Sequence, residues 1–309
     1  MQFEHGNAIC YSGYRDGQSP HSKTYPSYAE IREDLLILAK NWRYLRLYDC
    51  SLHAERVLAV IRNEGLDFKV MLGLDMAAEM SNPHCPWGAN FSDDTLYANR
   101  QANGEEVRRL IRLATEFADV VFSVSVGNEA TVDWTDHMVP VESLVGYVRD
   151  VKSEIDQPVT FCENYVPWTY KLAPLAQELD FIAVHTYPAW EYRSIHDALE
   201  YTKENYHAVV GHHPGKPVVI TEAGWTTAAN GRGIEPHNAS EELQASYYGQ
   251  LIEWTKKQKI LTFVFEAFDE PWKGSPDPME PEKHWGLFRV DRTPKLVMRE
   301  LYAELVPTD

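Results

Sequence analysis

The stretch VVFSVSVGNEA, residues 120–130, sets a run of apolar and small side chains, Val120–Val126, ahead of Gly127, Asn128 and Glu129. A run this rich in β-branched residues, with no regular polar face, suits a strand covered on both sides, as the strands of a parallel sheet are. The same order recurs in PVVITEAGWTT, residues 217–227, where Val218, Val219 and Ile220 lead to Glu222. A carboxylate is costly to leave in an apolar place. Two of them at the mouths of two buried strands therefore point to one polar cleft. A pair of carboxylates facing one pocket is the minimum equipment for breaking a glycosidic bond.

Six further strand candidates flank these two, Val120–Val126 and Val218–Thr221: Asn7–Ser12, Tyr44–Tyr48, Phe68–Leu74, Val159–Cys162, Phe181–Thr186 and Leu261–Ala267. Helical patterns lie between and after them, at Tyr28–Trp42, Leu52–Asn63, Gly104–Phe117, Val141–Ile155, Leu172–Gln177, Ser194–Val209, Glu241–Lys257 and Thr293–Leu305. Alternation of this kind predicts a parallel sheet. Eight repeats in 309 residues fit an α/β fold of the (β/α)8, or TIM, barrel type better than an open doubly wound sheet. No GxGxxG follows the first strand, which removes the main support for a dinucleotide-binding fold. No linker, low-complexity stretch or charge block marks a boundary, so residues 1–309 read as a single barrel domain.

The chain carries 29 Lys and Arg against 46 Asp and Glu, a net charge of −17. That balance argues against nucleic acid and against an anionic membrane surface, both of which call for a basic patch. It suits a neutral partner. No apolar run approaches a membrane span. The opening MQFEHGNAICYSG lacks the basic flank and apolar core of a signal peptide, which leaves either an intracellular protein or a secreted one trimmed of its leader. Cys10, Cys50, Cys85 and Cys162 show no CxxC spacing and are too sparse for a disulfide scaffold. Nothing in the composition sets an oligomeric state.

In a barrel of this kind the chemistry sits at the carboxyl ends of the strands. The longest connections, Asp75–Asn103 and Phe268–Arg292, follow strands three and eight and carry Trp87, Trp272, Trp285 and Phe288. Polar and aromatic residues recur at the other strand ends: Tyr11 and Tyr14 after strand one, Arg46 and Tyr48 on strand two, Asn128 and Glu129 on strand four, Glu163 and Asn164 on strand five. His185 and Tyr187 follow on strand six, Glu222 and Trp225 on strand seven, and Glu266, Asp269, Glu270 and Lys273 on strand eight. The GHHPG segment with His212 and His213 precedes strand seven, on the opposite face, and reads as a solvated turn.

VGNEA and ITEAGW, together with FEAFDEPWK and EKHWGLF (Glu282–Phe288), resemble glycoside hydrolase family 17, the β-1,3-glucanases and β-1,3-glucanosyltransferases. AICYSGYRDGQSP and RLYDC are similar to its bacterial and fungal branch, and the resemblance spans nearly the whole chain. Ala223, where many members have Thr, and Thr226 after Trp225 are departures that touch subsites. The resemblance implies a retaining barrel enzyme with Glu129 as acid/base and Glu222 as nucleophile. Arg46 and Tyr187 would keep Glu222 ionised, Asn128 would bind the sugar 2-hydroxyl, and Glu270 with Lys273 would form a supporting pair. Tyr11, Tyr14, His185, Trp225 and Trp272 are candidate substrate contacts, and Trp134, Trp168 and Trp190 candidate platforms on the leaving-group side. The implied partner is a neutral β-glucan, with no cofactor and no metal.

Three alternatives stand beside an endo-1,3-β-glucanase. A glucanosyltransferase would use the same residues with a second glucan as acceptor. A dead barrel would only bind carbohydrate, against which both glutamates argue. A metal-dependent hydrolase would have to draw on His53, His84, His185 and His284, which lack HExxH or comparable spacing.

Overall fold

The computed structural model of the protein describes residues 3–4 and 6–307. Eight parallel strands close into a barrel in chain order: β1 Ala8–Cys10, β2 Tyr44–Arg46, β3 Lys69–Gly73, β4 Val121–Asn128, β5 Val159–Asn164, β6 Ile182–His185, β7 Val218–Ala223 and β8 Thr262–Val264. The last pairs with the first, Ala8 opposite Phe263 and Ile9 opposite Val264. Nearly all strand residues are buried, as expected of a sheet whose outer face is covered by helices and whose inner face is filled by side chains. The described residues thus form one (β/α)8 barrel.

Helices fill every crossover: α1 Tyr28–Leu38, α2 Leu52–Glu64, α3 Asp93–Glu116, α4 Val141–Glu154, α5 Tyr165–Trp168, α6 Ala173–Glu178, α7 Ile195–His212 and α8 Glu241–Gln258. Ser27, Ser51, Ser92 and Ser240 cap the starts of α1, α2, α3 and α8 by accepting a backbone N–H from the first turn. No helix among the described residues is long and apolar enough to cross a membrane.

The pattern misses three features. α3 begins at Asp93 rather than Gly104, because its first turns are polar and mostly exposed and carry no apolar periodicity. The loop after β3 is correspondingly shorter than Asp75–Asn103. α5 is a four-residue turn of helix too short to show a period. The expected helix over Thr293–Leu305 is absent: that segment makes two 3-10 turns, Leu296–Met298 and Ala303–Leu305. Its apolar residues are spaced for a helix but act as separate anchors. Met298 and Tyr302 are buried, and Tyr302 stacks on Trp42 and meets Phe288 edge-on at 4.9 Å. Lys295 turns inward to Asp269, Nζ to Oδ1 2.7 Å, while Glu241 accepts the N–H of Leu296 at 2.7 Å. His213 also departs from expectation. It is buried at the end of α7, with Nε2 2.7 Å from the carbonyl of Trp168.

Two register shifts position the site. Between Ser125 and Asn128, β4 carries one residue more than β5. The Ser125 hydroxyl bridges the gap, accepting from Cys162 N–H at 3.2 Å and donating to Gly127 O at 2.8 Å. Gly127 has φ +106°, and a Cβ there would lie 3.0 Å from both Met76 and Phe161. Between β6 and β7 the shift falls at Val184/His185, leaving Thr221 extra ahead of Glu222. Bulges re-aim the side chains that follow them. Here each one precedes a strand-end glutamate.

Candidate active site

Glu129 follows the β4 bulge in left-handed backbone, φ +45°, which is uncommon for a residue with a side chain. Its N–H is held by Cys162 O at 2.9 Å. Further along the same loop, Glu163 of β5 accepts the N–H and the hydroxyl of Thr131 on one oxygen, at 2.9 and 2.6 Å, and the N–H of Asn164 on the other, at 2.7 Å. The loop that carries Glu129 is therefore tied down on both sides of it. Burial, with the charge of Glu129 adding to it, pushes the Glu163 carboxyl up to about 7.

Glu222 ends β7 with its side chain only 7% exposed. The Arg46 guanidinium donates to its Oε1 and the Tyr187 hydroxyl to its Oε2. Arg46 also reaches Tyr48 OH at 3.2 Å and Thr221 O at 3.3 Å, and its second amino nitrogen donates to Asn128 Oδ1. Burial alone would raise the Glu222 carboxyl. The positive charges of His185 and Arg46 and the hydrogen bonds from Tyr187 and Arg46 outweigh it and hold the group down at about 2.

The two glutamates meet across the barrel mouth. Oxygens of Glu129 and Glu222 and a ring nitrogen of His185 all lie within 4.8 Å of one another. His185 Nδ1 stands 2.9 Å from Glu129 Oε1 and 3.4 Å from Glu222 Oε2. Glu129 is the more open of the pair, its side chain 27% exposed. By distance alone these three groups could surround a metal ion. Both Glu222 oxygens, however, already accept from Arg46 and Tyr187, and the Arg46 guanidinium would repel a cation placed there.

On the β8 side, Lys273 lies between Glu266, 2.8 Å from Oε2, and Glu270. Burial and the Glu270 charge push Glu266 well above the carboxylate range. For Glu270, Lys273 overcomes the effect of burial and lowers it. Glu282 is close enough to Lys273, Glu129 and Glu222 to feel their charges and was not singled out from the sequence. Burial pushes it up to about 7 against the pull of Lys273, with the charges of Glu129 and Glu222 adding to the rise. Its signal lay in EKHWGLF, but no strand end announces it.

The structure brings together Glu129, Glu222, Arg46, Asn128, Tyr187 and His185, and sets Glu270 and Lys273 beside them. Several expected sugar contacts are placed elsewhere. Tyr11 is buried, its hydroxyl on Asp34 at 3.0 Å within an ion network with Arg292. Tyr14 is buried and stacked on His53. Trp225 is buried with its indole N–H on Asn238 O, and Trp168 likewise with its N–H on Ala183 O in the barrel wall. His185 stands behind the carboxylates with no exposed surface. Trp272 is partly open, its N–H on Glu270 at 3.1 Å. Trp190 is half-buried against Trp285, and Trp134 is 40% exposed.

Residues 8–286 match the family model of the BtgE/BtgC glycoside hydrolase domain. A protein of Aspergillus niger provisionally named glucan endo-1,3-beta-glucosidase btgC is 26% identical over 294 residues, 87% of this chain and 40% of the relative. The chain thus spans about two fifths of that relative's length. Among solved structures, an endo-laminarinase from Formosa Hel1_33_131 superposes with a TM-score of 0.82 at 27% identity, covering 97% of this chain and 87% of the other. A glycoside hydrolase family 17 beta-1,3-glucanosyltransferase from Rhizomucor miehei shares the fold, with a TM-score of 0.72 at 23% identity over 94% and 96% of the two chains. With a match covering almost the whole barrel, the chain belongs to the BtgE/BtgC glycoside hydrolase domain family.

Proposed function

We propose that the chain is a retaining endo-1,3-β-glucanase of glycoside hydrolase family 17. One observation carries this reading. The nearest oxygens of two strand-end carboxylates lie within 4.8 Å, which supports the close spacing of a retaining pair, about 5–5.5 Å, over the roughly 6.5–9.5 Å of an inverting one. The shared motifs and the likeness to the Formosa endo-laminarinase support a β-1,3-glucan as substrate.

Glu222, kept ionised by Arg46, His185 and Tyr187, attacks the anomeric carbon. Glu129, the more exposed carboxyl, protonates the departing glycosidic oxygen. The C1–O bond breaks as the bond from Glu222 to C1 forms. Glu129 then takes a proton from water, which attacks C1 and frees Glu222. Asn128, held by Arg46 beside this point, is suited to receive the sugar 2-hydroxyl. Trp134, Trp190 and Trp272, which keep part of their surface open, are the aromatic faces best placed to stack on sugar rings.

Laminarin hydrolysis followed by NMR is expected to release the β-anomer of the new reducing end first, before mutarotation. Initial release of the α-anomer would overturn retention. Accumulation of products longer than a laminari-oligosaccharide substrate, with little new reducing sugar, would replace hydrolysis by glucanosyl transfer. Activity is expected to survive dialysis against EDTA unchanged, because the oxygens of Glu222 are committed to Arg46 and Tyr187. Loss on chelation, restored by one divalent ion, would contradict this.

A further inference from the structure

The imidazole of His185 is fully buried, and its Nδ1 touches both carboxylates, Glu129 Oε1 at 2.9 Å and Glu222 Oε2 at 3.4 Å. Of the two glutamates, Arg46 pairs with Glu222 alone. Among the described residues no other basic side chain pairs with Glu129. We propose that His185 is a positioning residue that stays protonated through the whole cycle and serves as counter-charge to whichever of the two glutamates is ionised at each stage. The inference rests on the roles given above to Glu129 and Glu222.

The charge count shows why one fixed cation can do this. A general acid enters the reaction with its proton, so with Glu129 in that role, Glu222 an anion and His185 a cation, the three sum to zero at the start. When Glu129 gives its proton to the departing oxygen and Glu222 forms an ester to C1, the negative charge leaves Glu222 and appears on Glu129. The sum is still zero, and Nδ1–H already points at the new anion. When Glu129 takes a proton from water and the hydroxyl replaces the ester, the charge returns to Glu222. No atom of His185 needs to move, and no proton needs to enter or leave it. An arginine paired with one glutamate alone could stabilise only one end of this exchange.

The surroundings fit. Burial opposes protonation of the ring, but the charge of Glu222, the neighbouring Cys162 thiol and the hydrogen bond to Glu129 raise it to about 10, against the repulsion of Arg46, while Nε2 lies buried without a hydrogen-bond partner. Glu163 of β5 and Glu282, from the segment after β8, are further acids whose charges couple to this group. The neighbouring cation thus comes from β2, and the acids from β5, β7 and the residue after β4, with Glu282 beyond β8.

His185→Asn keeps a donor near the place of Nδ1 and removes the charge. In this variant the acidic limb of kcat/KM on laminari-oligosaccharides is expected to move up by about 1–3 pH units, since a lost neighbouring cation raises the Glu222 carboxyl. The breakdown of the glycosyl-enzyme, read from kcat on 2,4-dinitrophenyl β-laminaribioside, is expected to slow by about 10–100-fold, because the charge that returns to Glu222 as the ester breaks would meet one cation fewer. An acidic limb left in place would reduce His185 to packing and overturn the proposal. Imidazole nitrogen NMR of the wild-type enzyme gives a second reading that needs no variant. The His185 ring is expected to stay doubly protonated at pH 8, and a ring that loses its proton near 6.5 would equally overturn it. Failure of the underlying reading is separate, because it would appear as a wild-type enzyme inert on laminarin whatever the charge state of His185.

Discussion

Glu222→Ala and Glu129→Ala are both expected to be nearly inert on laminarin, and azide is expected to rescue them to opposite anomers. Without Glu129, Glu222 still forms the glycosyl-enzyme from an activated aryl laminaribioside whose leaving group needs no proton. Azide, small and needing no base, enters from the face that Glu129 leaves open and gives the β-glycosyl azide. Without Glu222 there is no covalent intermediate. Azide takes the space of the missing carboxylate and displaces the aryl group directly, giving the α-glycosyl azide. Loss of a positioned acid/base costs about 10²–10⁴ in rate on the unactivated glucan. Product stereochemistry by NMR checks the assignment. The same anomer from both variants would exchange or dissolve the roles, and full activity in either would remove that residue from the chemistry.

Arg46→Met is expected to be the most damaging change among the supporting residues. The guanidinium contacts Glu222, Asn128, the Tyr48 hydroxyl and the carbonyl of Thr221, and the ion pair with Glu222 is almost wholly enclosed. Removing one partner of such a pair strands the other in a low-dielectric place, at a cost of about 3–5 kcal/mol. His185 still faces the carboxylate, which puts the expectation toward the lower end of that range. Denaturant midpoints at pH 7 measure it. The acidic limb of kcat/KM is expected to move up as well, because the Glu222 carboxyl loses a cation that lowers it. Adding Glu222→Gln to Arg46→Met is expected to cost less than the two single changes summed, since the stranded charge is then gone. A sum additive to within about 0.5 kcal/mol would mean that the pair is not coupled.

The barrel was legible because buried parallel strands write themselves as unbroken apolar runs. All eight strands lie within or overlap the stretches marked by that rule. The helices were legible where an apolar stripe existed and not elsewhere. The first turns of α3, from Asp93, face solvent and have no stripe to read. The tail from Thr293 shows the opposite error: Met298, Leu301, Tyr302 and Leu305 imitate a helical period, while the ion pair from Lys295 to Asp269 and the bond from Leu296 to Glu241 bend the chain into short turns. Within the site, residues that follow strands by a fixed step could be anticipated, which is why Glu129, Glu222, Arg46 and Tyr187 converge. Which way a ring turns could not. His185 ends β6 and Trp225 follows β7, and both are buried. Glu163 clamps a neighbouring loop through hydrogen bonds to Thr131, a relation between two strands that no local pattern encodes.

The pairing of β1 with β8, and of Asp269 with Lys295, also sets a timetable for synthesis. The first strand of the barrel finds its second partner only when residues 262–264 have emerged, more than 250 residues later. Until Lys295 arrives, the Asp269 carboxylate beside the cleft has no counter-ion, and Tyr302 has not yet covered Trp42 and Phe288. At about 5–20 residues per second, the nascent barrel waits on the order of tens of seconds with one edge open. Its two glutamate-bearing strands, β4 and β7, are made well before the ring can shut. Catalytic competence should thus appear late and abruptly during translation, and a ribosome stalled with the tail from Thr293 still in its exit tunnel should display an inactive, protease-sensitive chain.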